Sequence, residues 1–209
     1  MKIVVIPVTP YQQNCSLVIC EDTNKAAIVD PGGEVERILS AVKNHNVTVD
    51  KIILTHGHLD HVGGTEALAE SLNIPVIGPE KEDAFWLNEL EQQSKMFGFP
   101  KATSFLPTRW LEEGDHVEVG NIKLSVLHIP GHTPGHITLF DAVSKQIIVG
   151  DILFNGAVGR SDFPRGNHQQ LISGIKQKLL TLPEETVVFP GHGPTTTIGR
   201  EKISNPYLR

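Results

Sequence analysis

The chain has 209 residues, carries a net charge of −6 and is 39% hydrophobic. That length predicts a single domain spanning 1–209, large enough to bury a substantial core. Mild acidity without any run of Lys and Arg argues against nucleic-acid or membrane-surface binding, since both need a concentrated basic face.

The opening apolar stretch is interrupted by Pro7 and Pro10, which does not suit a signal peptide, and no segment approaches a transmembrane run. A soluble, cytoplasmic protein is expected. Strands are predicted over 2–7 and 14–20, joined by Pro10-Tyr11-Gln12-Gln13. Cys15 and Cys20 both fall on the second strand. Five residues apart there, they point to opposite faces and are expected to stay unpaired. A third strand over 26–30 ends in Asp30-Pro31-Gly32-Gly33. Val35, Ile38, Leu39 and Val42 recur at helical spacing, which predicts a helix over 34–43. A short buried strand over 51–54 runs into Thr55-His56-Gly57-His58-Leu59-Asp60-His61; a helix over 64–72 and a strand over 75–77 follow.

The segment 79–107 is polar but carries Phe85, Trp86, Leu87, Met96, Phe97 and Phe99. It reads as a helix over about 80–90 followed by irregular chain, covering either a core or the mouth of a site. Strands return over 117–119, 122–127, 136–140 and 146–149, then a helix over 168–180 and a strand over 186–189. Two batches of strands, each accompanied by helices, suggest two similar halves packed sheet to sheet.

The chemistry concentrates at strand ends. His56, His58, Asp60 and His61 lie within six consecutive residues. On a helix His56 and His58 would face opposite sides, so a tight loop containing Gly57 is needed to converge them. Three further apolar strands end in Gly-bearing loops that carry a ligand-type residue: His132, Asp151 and His192. Imidazoles mixed with carboxylates suit zinc or iron, and loops on a rigid sheet are where catalytic groups usually sit. His136 reads instead as the first residue of a strand, holding its loop by a hydrogen bond. His45, His116, His128 and His168 read as surface, core or cap residues.

At these residues the chain resembles the metallo-β-lactamase superfamily, marked here by Thr55-His56-Gly57-His58-Leu59-Asp60-His61 with His132, Asp151 and His192. Asp30-Pro31-Gly32, the run His132-Thr133-Pro134-Gly135-His136, and Gly159-Arg160-Ser161-Asp162-Phe163 are most similar to short bacterial hydroxyacylglutathione hydrolases of the glyoxalase II type. The resemblance implies an α/β fold, a four-layer αββα sandwich, with two divalent metal ions at one edge: zinc first, with iron or manganese as alternatives. It implies His56, His58 and His132 on one ion, Asp60, His61 and His192 on the other, and Asp151 bridging both. It further implies hydrolysis of a small-molecule thioester such as S-lactoylglutathione, by attack of a bridging hydroxide on the carbonyl with Asp60 as the proton-handling residue. The alternative on the same fold is a mononuclear iron persulfide dioxygenase, which a similar Gly-Arg-Thr-Asp-Phe run in that family suggests.

One departure from the larger glyoxalase II enzymes is that this chain ends 17 residues beyond His192, without the helical domain that supplies cations to glutathione. Substrate contacts are therefore expected from 79–107, from the loop with Arg160 and Arg165, or from the tail with Arg200 and Lys202. Arg160 has a simpler reading as an ion pair with Asp162.

Overall fold

The computed structural model describes residues 1–209. In chain order the first half comprises β1 (Lys2–Val8), β2 (Gln13–Cys20), β3 (Lys25–Val29), α1 (Val35–His45), β4 (Thr48–Ile53), α2 (Leu59–Val62), α3 (Thr65–Leu72), β5 (Val76–Ile77), α4 (Ala84–Asn88) and α5 (Leu90–Phe97). The second half comprises β6 (His116–Val119), β7 (Ile122–His128), β8 (Ile137–Asp141), β9 (Gln146–Gly150), β10 (Leu153–Phe154), β11 (Ala157–Val158), α6 (His168–Gly174), β12 (Val187–Pro190), β13 (Thr196–Thr197) and α7 (Ile198–Ser204).

Two large sheets form, ordered β1-β2-β3-β4-β5 and β13-β12-β9-β8-β7-β6, beside a two-stranded β10-β11 hairpin. Alternation along their strands sorts the apolar residues into three cores, because successive side chains of a strand face opposite ways. Leu17, Ile19, Ala26, Ile28, Ile52 and Leu54 pack outward against Ile38, Leu68, Leu87 and Leu90 of the first helical layer. Their neighbours Val18, Ala27, Val29 and Ile53 face inward and meet Val117, Val126, Leu139 and Ile148 of the other sheet. On the far side, Ile147, Val149 and Val188 pack against Leu171, Ile175 and Ile198. Three cores between four layers make the expected αββα sandwich.

The two cysteines follow the same alternation. Cys15 belongs to the outward core, whereas the sulfur of Cys20 accepts the Asn121 amide, and both thiols are free. No helix is long and apolar enough to cross a membrane.

The structure corrects the sequence reading in three places. The irregular chain expected after residue 90 is α5, closed by Gly98 in the left-handed region (φ 67°). Its buried stripe continues from Leu90 through Gln93 and Ser94, which are polar and so hid the period. Both are paid for by backbone partners: Gln93 donates to the Trp86 carbonyl and accepts from the Leu59 amide, while Ser94 donates to the Leu90 carbonyl. Second, the loop expected through residue 61 is only half loop, since Leu59–Val62 turns helical directly after His58. Third, the β10–β11 hairpin and α7 stand where no element was expected.

Candidate metal centre

All seven ligand-type residues singled out from the sequence lie at one edge of the sandwich, on loops or on the short α2, and six of them form two clusters. Within each, the potential donor atoms lie within 4.8 Å of one another: His56, His58 and His132 in one, Asp60, His61 and His192 in the other. Asp151 stands between them. Its Oδ1 lies 3.3 Å from His61 Nε2, and its Oδ2 lies 3.7 Å from His132 Nε2 and 3.6 Å from His192 Nε2. In the first cluster His58 Nδ1 and His132 Nε2 are 3.0 Å apart; in the second, Asp60 Oδ2 is 3.2 Å from His192 Nε2.

The loops leave little choice of conformation. Gly150, just before Asp151, adopts a positive φ of 50°, and a Cβ there would lie 2.6 Å from Thr55 Oγ1 and 2.7 Å from the His136 ring. A Cβ on Gly191 would run into Asp151 Oδ1 and sit 2.6 Å from His61 Cε1. The β9–β12 register also shifts between Phe189 and Pro190, an irregularity two residues before His192.

Four of the imidazoles are held from behind. His56 Nδ1 lies 3.0 Å from Thr55 Oγ1, whose own hydroxyl proton goes to Asp30 Oδ2. His61 Nδ1 lies 2.9 Å from Asp30 Oδ2, His132 Nδ1 lies 2.7 Å from the Arg160 carbonyl, and His192 Nδ1 lies 3.1 Å from the Tyr11 carbonyl. Each of these outer nitrogens faces an acceptor, so one proton sits there and Nε2 turns inward, where a bound ion would take the place of any second proton. Asp30 also lies close to His56 and His61, but its two oxygens are occupied by the Thr55 amide, the Thr55 hydroxyl and His61. It supports donors rather than joining them. Its left-handed φ of 53°, uncommon for a residue with a side chain, is held by those three contacts.

The donor set fits divalent transition-metal ions. His56 Nε2, His61 Nε2 and Asp151 Oδ1 are buried without a hydrogen-bond partner, an arrangement that costs stability unless a cation satisfies the lone pairs. Burial pushes the His56 and His58 imidazoles well below the usual histidine range, so both are neutral donors. Burial also acts on His61, but the carboxylates of Asp151 and Asp60 outweigh it and raise that ring well above its ordinary value. Burial likewise opposes ionisation of Asp151, yet His61, His132 and His192 hold it ionised, well below the carboxylate range.

His136 behaves as its strand position suggested. Its Nε2 accepts the Asp151 amide at 3.0 Å, fixing the carboxylate that stands between the clusters. Two residues escaped the sequence reading. Asp30 stood out only as part of a turn motif. Asp83 is fully buried and accepts from the Gly57 amide (2.8 Å), the Thr133 hydroxyl (2.7 Å) and the Gly135 amide (2.5 Å), tying the loop of His56 and His58 to that of His132. It sits in a polar Glu-Lys-Glu-Asp run with nothing to set it apart.

A cavity of about 1040 Å³ opens over the centre, with His58, Asp60, His132, Asp151 and His192 in its lining. Of the expected substrate-contact regions, 79–107 supplies one wall and Arg160 reaches another. Arg165 stacks on Phe85 and faces Glu82, whereas Lys202 pairs with Glu184; neither lines the cavity, and nor does Arg200.

Residues 8–192 match the family model of the metallo-beta-lactamase superfamily. The chain is 45% identical over 209 residues to hydroxyacylglutathione hydrolase GloC of Haemophilus influenzae, covering all of this chain and 98% of that one. Among solved structures, TTHA1623 in a di-iron-bound form superposes with a TM-score of 0.90 at 38% identity, over 98% of this chain and 100% of the other. The BLEG-1 B3 metallo-beta-lactamase superposes with a TM-score of 0.91 at 35% identity, over 99% of each chain.

Proposed function

The chain belongs to the metallo-beta-lactamase superfamily, and on that premise we propose that this metallohydrolase is binuclear and cleaves thioesters, S-lactoylglutathione among them. The observation that carries the reading is the pair of three-residue clusters sharing one carboxylate, Asp151, at the floor of an open cavity. His56, His58 and His132 would hold one ion, Asp60, His61 and His192 the other, with Asp151 between them. Divalent cations there supply a Lewis acid for a carbonyl and acidify water toward neutral pH.

The chain's own residues do the rest. Asp60 lines the cavity; burial opposes its ionisation, but His61 and His192 outweigh that and hold the carboxyl below its ordinary value. An ionised carboxylate beside the reacting carbonyl can orient a water molecule and take up its proton. A thiol leaving group, with a pKa of about 8.5, departs as thiolate without a dedicated acid. The similarity to a hydroxyacylglutathione hydrolase over the full chain supports the thioester assignment.

Elemental analysis paired with a hydrolysis assay on S-lactoylglutathione tests the proposal. Two metal ions per chain and thioester cleavage are expected, with both reduced in Asp151→Asn. A protein holding two ions that leaves thioesters intact would overturn the thioester assignment, and a firm stoichiometry of one iron would favour the persulfide dioxygenase.

A further inference from the structure

The loop that carries His192 leaves the end of β12 in one sheet and is held by a residue of the other. Asn14, the second residue of β2, donates its backbone amide to the Gly191 carbonyl at 2.7 Å. Its side-chain Nδ2 donates to the Pro190 carbonyl at 3.0 Å and to the Gly193 carbonyl at 2.8 Å. Carbonyls before and after His192 therefore end on one distant residue. From the other side the Gly191 amide donates to the carbonyl of Gly150, the residue before Asp151, at 2.7 Å.

This matters more for His192 than for the other imidazoles. His61 is fully buried and has the Asp30 carboxylate behind it, whereas His192 is 27% exposed and has only the Tyr11 carbonyl, from the turn just before Asn14. Its place thus depends on what fixes the surrounding backbone. Both partners of Asn14 Nδ2 are carbonyl oxygens, so both of its protons are used. Asn supplies two donors from one neutral atom at this reach; Ser would supply one, and Leu, of similar size, none.

We propose that Asn14 is a positioning residue of the metal site formed by Asp60, His61 and His192: by binding the carbonyls on both sides of His192, it holds that imidazole where the ion needs it. The inference rests on the binuclear reading above and adds to it a residue outside the donor set. Ordering the loop before the ion arrives lowers the cost of binding, because less freedom remains to be lost.

Metal-free wild type, Asn14→Leu and Asn14→Ser, titrated with zinc against a chromophoric chelator, give a dissociation constant for each site. Asn14→Leu should weaken the site of Asp60, His61 and His192 about 10- to 100-fold, and that of His56, His58 and His132 by less than about threefold. Asn14→Ser, which keeps one donor, should fall between Asn14→Leu and wild type. In His192→Ala, whose site is already broken, adding Asn14→Leu should change zinc binding no further. A merely structural role would weaken both sites and would act in His192→Ala as well. A readout that needs no variant is the side-chain amide resonance of Asn14 in the wild-type protein, which should shift with the second equivalent of zinc rather than the first. Equal weakening of both sites, unchanged binding in Asn14→Leu, or an Asn14 resonance indifferent to the second ion overturns the inference and leaves the binuclear reading standing. A wild-type protein that takes up only one ion overturns both together.

Discussion

The two halves of the metal centre use the same kinds of side chain in different settings. His56, His58 and His132 are all buried, and no carboxylate belongs to their cluster alone. In the other cluster only His61 is buried, and His192 keeps 27% of its side chain exposed on the cavity side. Each half also leans on a buried carboxylate outside the donor set: Asp83 joins the loops of the first, whereas Asp30 holds His61 of the second directly and reaches His56 of the first through Thr55. The closed half, whose His58 and His132 touch the cavity while staying only 9% and 3% exposed, is built for retention, because neutral imidazoles there have little water beside them to replace a lost cation. The open half carries the charge and the solvent access that exchange and turnover need.

Breaking one ligand in each half should give the largest effects. His58→Ala removes a donor from the closed cluster and is expected to lower thioester turnover by at least about 10³-fold, with loss of that ion. His192→Ala is expected to cost less activity and to empty only the open cluster, read by metal stoichiometry. Equal loss from both variants would mean that the halves act as one unit.

Chelation should sharpen the comparison next. A rising chelator concentration is expected to release one ion before the other, and His192→Ala should lack the early step. For ions bound at about a thousand times their Kd, full removal costs about 4 kcal/mol each, which corresponds to a fall in Tm of roughly 10 °C per ion in a chain of this size. An unchanged midpoint after verified metal removal would show loops preorganised without metal.

Asp30, which holds His61 directly and His56 through Thr55, is the third point of attack. Asp30→Ala leaves His61 Nδ1 and the Thr55 amide without their acceptor. Loss of such a partner is expected to weaken metal affinity about 10- to 100-fold, measured by competition with a chromophoric chelator.

These two settings differ in how far they could be read from the amino-acid order. Five of the seven candidate donors were legible because they follow an apolar strand and sit beside a glycine, as in Gly150-Asp151 and Gly191-His192, and Asp60 and His61 because they crowd in directly after His56 and His58. The four layers were legible in outline from two batches of strands, and alternation such as Leu17/Val18/Ile19 sorts the faces. Asp83 was not, because its role arises from chain segments 26 and 52 residues away that meet only in the folded protein. Nor was α5, whose inward face is carried by Gln93 and Ser94, polar residues made compatible with burial by bonds to backbone atoms.

Asp83 also supplies the smallest and most particular prediction. Burial pushes its carboxyl from 3.8 up to about 7, against the opposing pull of the Thr133 hydroxyl and the Gly135 and Gly57 amides. Below pH 3.8 folded and unfolded chains both hold this proton, so it contributes no slope there. From there to about 7 only the folded chain holds it, so stability falls as pH rises; above 7 both forms are ionised and the curve levels. Between pH 6 and 7 the loss from this group is about 1 kcal/mol, a drop in Tm of roughly 2–4 °C. Asp83→Asn cannot ionise and should lose that increment of slope, while its overall stability falls by about 1–3 kcal/mol because one acceptor oxygen is replaced by a donor. Metal ligands titrate in both proteins, so the measurement is the difference between the two Tm-against-pH curves at saturating metal. Parallel curves would mean that the three donors keep Asp83 ionised throughout, making it a fixed charge clamping the closed half rather than a group that loosens it toward neutral pH.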